Sequence, residues 1–97
     1  MKRVRLVAAA EQEMLDAAGY YEQQMKGLSA DFYNMLEIGF SAIGENPECW
    51  PLVTVNIRRR LIRRFPYCLL YRVDSEQVVV LAVMHLSRHP LYWRGRK

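Results

Sequence analysis

The spacing of apolar residues changes period along the chain, and each change marks an element. Val4 and Leu6 alternate with Arg3 and Arg5, which predicts a short strand over Val4 to Val7. From about Ala9 the period becomes helical. Met14, Ala17/Ala18, Tyr21 and Met25 form a stripe, and Glu11, Glu13, Asp16, Glu22, Gln23 and Gln24 fill the other side. Acidic residues in the first turns and Lys26 at the end suit the helix dipole. Gly19 inside this helix costs roughly 1 kcal/mol relative to alanine and is read as a point of close helix crossing. Gly27 ends the helix and Ser29 is placed to cap the next, which runs from about Ala30 to Glu45 with Phe32, Leu36, Gly39/Phe40 and Ile43 as its apolar stripe. A connection this short makes the two helices an antiparallel hairpin with one shared apolar face, and that face needs a sheet to cover it.

The second half supplies the sheet. After Asn46-Pro47 and Trp50-Pro51, Val53, Val55 and Ile57 alternate with Thr54 and Asn56, as a strand or extended segment would. Arg58-Arg59-Arg60 breaks that alternation, so a bulge or turn is expected there, followed by a strand from about Arg60 to Arg64. Phe65-Pro66 reads as a turn, because proline cannot donate to a central ladder. Tyr67 to Val73 and Gln77 to His85 then read as strands joined at Asp74-Ser75-Glu76. The last of these is apolar on both faces, which marks a central strand. The tail from Ser87 to Lys97 reads as a loop anchored by Tyr92 and Trp93. The expected order is β-α-α-β-β-β: an α+β fold in which a helical hairpin packs on a mainly antiparallel sheet.

Charge changes this picture of an ordinary small domain. Residues 1–55 carry four cations against eight carboxylates, for a net −4; residues 56–97 carry ten against two, for a net +8. Five arginines, Arg58, Arg59, Arg60, Arg63 and Arg64, fall within seven positions. A half so basic favours nucleic acid or an acidic protein surface as partner. The length of 97 residues fits a single domain over 1–97, and 52% hydrophobic residues exclude a disordered chain. Cys49 and Cys68 stand apart from one another and from any paired histidine, which points to free thiols in a reducing, cytoplasmic compartment and away from a metal site. No apolar run approaches the roughly 20 residues a membrane helix needs, so no membrane partner is expected, and no residue pattern calls for a cofactor.

The element order, together with Ala17-Ala18-x-Tyr20-Tyr21-Glu22, Asn46-Pro47, Arg63-Arg64-Phe65-Pro66-Tyr67 and His85-x-x-Arg88-x-Pro90-x-Tyr92-Trp93, resembles the RelE/ParE family of type II toxins. The resemblance runs over nearly the whole chain. It implies a toxin of a toxin–antitoxin (plasmid stabilisation) module, neutralised by a cognate antitoxin that lays a segment across it. The face of Tyr67, Leu69 and Tyr71, or the groove beside the helical hairpin, is the expected seat of that segment. Beyond this the family divides. RelE-like members cut messenger RNA on the ribosome, whereas ParE-like members inhibit DNA gyrase.

Cutting RNA through its 2′-hydroxyl takes a proton acceptor, a proton donor and fixed cations around the phosphate. The candidates are His85 and Tyr92 for proton transfer, and Arg63, Arg64 and Arg88 as phosphate clamps. Trp93 and Tyr92 have the chemistry to stack on bases, and Arg58, Arg59, Arg60, Arg63 and Arg64 to bind RNA or a protein partner. Each also has a structural alternative: a satisfied histidine at a strand end, an aromatic staple over the sheet, a solvated arginine margin. Two departures favour the gyrase branch. There is no lysine between Lys26 and Lys97, and Leu86 and Ser87 follow His85 where RNA-cutting members often carry another basic residue. Arginine binds phosphate well but is a poor proton shuttle. The ParE-like reading is therefore preferred, with a ribosome-dependent endoribonuclease and a non-toxic binding relative as alternatives.

Overall fold

The computed structural model describes residues 1–97. The order is β1 (Arg3–Leu6), α1 (Ala8–Gln24), α2 (Leu28–Glu45), β2 (Arg58–Leu61), β3 (Tyr67–Val73) and β4 (Gln77–His85). The strands form one sheet in the order β1-β4-β3-β2. β2 with β3 and β3 with β4 are antiparallel, while β1 lies parallel to β4, with Arg3 opposite Gln77 and Leu6 opposite Val80. The helical hairpin is the crossover that lets two strands run parallel. No helix is long and apolar enough to cross a membrane.

β4 is central, as its pattern requires: Val78 to Met84 are all buried. Leu81 is unmatched in the register, since Leu70 pairs with Ala82 and Tyr71 with Val80. An extra residue of this kind reverses which backbone groups point to which edge. It matters below, because β1 ends at Leu6 and leaves the outer edge of β4 unpaired beyond Val80.

The helices bury Ala10, Ala17 and Ala18 from α1, and Phe32, Leu36, Gly39 and Ile43 from α2. Of the stripe expected on α1, Met14 and Tyr21 are half-buried, while Met25 falls beyond the helix and is exposed. Phe32 is the hub of an aromatic cluster, with ring centroids 5.2 Å from both Tyr21 and Phe65 and 5.4 Å from Tyr67. α2 comes down closely at Gly39, where a Cβ would stand 3.0 Å from Ile62 Cδ1 and 3.2 Å from Leu69 Cδ1. Gly19 has no such role. A Cβ there meets nothing within 4 Å, so it is not the close crossing expected from the sequence. Gly19→Ala should therefore stabilise the fold by about 1 kcal/mol, a rise in Tm of roughly 4–8 °C for a domain of this size. A thermal melt by circular dichroism checks it.

Four further expectations are corrected. Ser29 does not cap α2, because the helix already begins at Leu28. The capping is done from the preceding helix: the Glu22 carboxylate accepts from Gly27 N, Ser29 N and Ser29 Oγ, and these bonds, the Ser29 hydroxyl foremost, hold its pKa low. Val53 to Ile57 is no strand. Val53 N and Thr54 N both turn back to Ile57 O, and Val55 is left 95% exposed. The ladder instead takes the arginine triplet itself, over Arg58–Leu61 and not Arg60–Arg64. Long side chains make this tolerable, because arginine can bury its stem and keep its head in polar company. Arg58 Nη1 donates to Trp50 O at 2.6 Å, and the Arg60 guanidinium lies 5.2 Å from the Trp50 ring centre. Finally, the face of Tyr67, Leu69 and Tyr71 is not open to a partner. Leu69 and Tyr71 are fully buried, Tyr67 packs on Phe32, and Tyr71 Oη donates to Pro47 O at 2.6 Å.

Candidate functional site

The C-terminal tail builds one site against α1 and the end of β4. It leaves the sheet through a series of tight turns, Arg88 N to His85 O, Tyr92 N to His89 O and Arg96 N to Trp93 O, which fold it back over the sheet edge. The polar centre is Glu13 of α1. Its Oε1 accepts from Val83 N at 3.1 Å and from Arg96 Nη1 at 2.8 Å; its Oε2 accepts from Tyr92 Oη at 2.5 Å and from Arg96 Nη2 at 3.2 Å. Arg96 Nη1 also donates to Leu81 O at 3.0 Å. Leu81 O and Val83 N are the edge groups that the bulge turns outward and β1 is too short to reach. A carboxylate and a guanidinium thus replace the missing strand.

Two cations approach the Tyr92 ring, Arg88 at 4.0 Å and Arg96 at 4.9 Å from its centre. Burial raises the pKa of Tyr92 strongly, and the bond to Glu13 raises it further, because the phenolate would face a carboxylate. The hydrogen bonds that Arg96 itself makes to Glu13 raise the pKa of Arg96. His85, half-buried, stacks edge-on against Tyr67 at 5.1 Å. Its Nδ1 accepts from Ser87 N at 3.0 Å and lies 2.8 Å from Ser87 Oγ. A ring nitrogen that accepts from a backbone N–H carries no proton, so the neutral ring is protonated at Nε2. Between α1 and this tail opens a cavity of about 360 Å³, lined by Glu13, Asp16, Tyr20, Tyr67, His85 and Arg88 among others.

The fold thus brings His85, Arg88 and Tyr92 together and leaves the arginine run elsewhere, on the opposite edge of the sheet. Trp93 is buried with its Nε1 donating to Pro90 O at 2.6 Å; it staples the tail and presents no free face for stacking. Arg58 is tied to the carbonyls of Glu48 and Trp50. Arg59 and Arg63 are exposed, Arg60 is half-buried beside them, and Arg64 reaches Asp31 at 3.5 Å. Cys68 is buried, which pushes its thiol pKa up to about 11, as befits an inert core residue. No three His, Cys, Asp or Glu side chains come together as metal ligands would.

Glu13 and Arg96 are the residues that sequence reasoning missed. The sequence places Glu13 on the wet side of α1, yet it stands four residues before Ala17 and eight before Tyr21, on the buried stripe. That spacing was the available signal. Arg96 had none.

The fold has a counterpart among solved structures. A chain titled "Chromosomal ParDE TA system from P. aeruginosa" superposes with a TM-score of 0.77 at 11% identity, covering 88% of this chain and 96% of that one. At that identity the likeness is one of fold alone. A search of curated protein sequences returns no match. The family model described as "ParE toxin of type II toxin-antitoxin system, parDE" matches residues 4–90, and the chain belongs to that family.

Proposed function

We propose that this ParE-family toxin acts by inhibiting DNA gyrase and is neutralised by a cognate antitoxin that binds its surface. The observation that carries the reading is the state of the two proton-transfer candidates. Tyr92 holds its proton against Glu13 in a bond that raises its pKa, so it is a poor donor and a poor base near neutral pH. His85 spends Nδ1 on Ser87. That leaves a single free proton-transfer group, His85 Nε2, where the reaction calls for two, and the remaining cations are arginines, suited to binding rather than proton transfer. A protein that works by binding needs a firmly held surface and no proton relay, and the tail clamped by Glu13 is such a surface. Supercoiling by purified gyrase should fall as the protein is added and recover as antitoxin is titrated in. Unchanged supercoiling with folded protein contradicts the reading.

One observation favours the second reading, ribosome-dependent cleavage of messenger RNA: His85, Arg88 and Tyr92 do converge on one cavity. On that reading His85 Nε2 faces the reacting phosphate and Arg88 neutralises it. Arg88→Ala would then abolish cleavage while leaving the fold intact, since Arg88 is exposed and holds only the Tyr92 ring.

A further inference from the structure

The arginine run on the far edge of the sheet is not absorbed by the tail site. Two concavities meet there, and Arg60 and Arg63 line both. One is completed by Trp50, Pro51, Arg59 and Leu61, the other by Met35, Ile38 and Arg64. Through these two shared arginines they make one strip beside β2. No carboxylate of the chain reaches Arg59, Arg60 or Arg63; the ion pairs are Arg64–Asp31, Arg72–Asp74 and Arg96–Glu13. The Nε of Arg60 is buried without an acceptor. A buried donor left unpaired costs free energy that a ligand's oxygen would recover. Burial, with Arg63 beside it, lowers the pKa of Arg60, as a cation short of a counter-charge should show.

The apolar neighbours decide what kind of anion belongs there. Ile38 and Leu61 are each about half exposed, at 51% and 54%, and Met35 lines the same concavity as Ile38, Arg60, Arg63 and Arg64. A nucleic-acid backbone has no use for exposed isoleucine and leucine beside its phosphates. A peptide that interleaves acidic and apolar side chains matches both sets. Part of the outer edge of β2 is already closed, since Leu52 bridges to Arg58 and Arg59 N donates to Pro51 O. The open part is the end nearest Arg60 and Arg63.

We infer that this strip is the seat of an acidic, apolar-interleaved segment of the antitoxin, whose carboxylates engage Arg59, Arg60 and Arg63 while its apolar side chains rest on Met35, Ile38 and Leu61. The inference rests on the antitoxin being the partner. It adds where that partner sits and which charges hold it, on a surface separate from the tail site.

The test is calorimetric titration of the protein with its cognate antitoxin. Arg59→Glu/Arg63→Glu should weaken binding by about tenfold or more and flatten its salt dependence, as expected for reversed charges in contact with a charged partner. Both side chains are exposed, so a thermal melt should show the variant folded. Arg3→Glu/Arg5→Glu, on the opposite edge, should bind like the parent. Equal binding by both variants overturns the inference. If a short DNA duplex binds the parent and not the Arg59/Arg63 variant, while antitoxin binds both equally, the strip belongs to phosphates and the inference also falls. Failure of the antitoxin to bind the parent protein removes the partner itself, a failure of the earlier reading distinct from any loss confined to the variant.

Discussion

Glu13→Ala is expected to destabilise the fold by about 2–3 kcal/mol and to release the C-terminal tail. The substitution removes one acceptor from four bonds and strands three groups at once: Tyr92 Oη, Val83 N and the Arg96 guanidinium. Losing one partner of a buried ion pair costs about 3–5 kcal/mol, and an unpaired buried polar group about 1–3 kcal/mol. Arg96 and Glu13 keep 21% and 17% of their side-chain surface in water, so water offsets part of the loss and the lower figure applies. Denaturant melts measure the energy, and Trp93 fluorescence reports the tail. Glu13→Gln retains an acceptor for Tyr92 and should fall between parent and alanine variant. A Glu13→Ala protein as stable as the parent, with Trp93 still buried, would mean that the tail is held by its aromatic packing alone.

Phe32→Ala should cost more, about 4 kcal/mol, the usual loss for truncating a fully buried phenylalanine. Phe32 is 0% exposed, and Tyr21, Phe65 and Tyr67 surround it. Those three belong to α1, the turn after β2, and β3, so the cavity would open where the hairpin meets the sheet. Against a total stability of roughly 5–15 kcal/mol for a domain of this kind, such a loss should leave a large unfolded fraction at elevated temperature, seen as a lowered Tm. Ile38→Ala, one helical face away and half exposed, should change stability by less than about 0.5 kcal/mol.

The architecture was legible in the sequence because its elements obey simple periods. The Phe32, Leu36, Gly39 and Ile43 stripe fixed the buried face of α2, and the double-faced run of β4 marked it as central. What misled was chemistry that runs against the period. β2 was misplaced because an arginine counts as polar in any alternation, although Arg58 and Arg60 lay their stems inward and send their heads to the Trp50 loop. Ser29 has the identity of a cap but not the position, and Glu22 reaches across the interhelical turn in its place. Strand order cannot be read from apolar spacing at all, so neither the parallel β1–β4 pair nor the unpaired edge it leaves was visible.

The candidate site followed the same rule. His85, Arg88 and Tyr92 were read from one short phrase, and the fold does gather them. Their condition was not readable. That the Tyr92 proton is held by Glu13, 79 residues away, and that Trp93 is sealed against Pro90, depend on how the tail turns back. The arginine run divides in a way composition could not foresee: Arg58 serves the fold, while Arg59 and Arg63 stand free.

The central claim, a toxin that binds gyrase rather than cutting message, is tested most directly by one paired assay on purified, folded protein. Gyrase supercoiling is followed in one reaction and translation-coupled messenger RNA cleavage in the other. The account predicts lost supercoiling with intact message, in the parent and in His85→Ala alike. Message that is cut by the parent and spared by His85→Ala or Arg88→Ala, with supercoiling untouched, would contradict it.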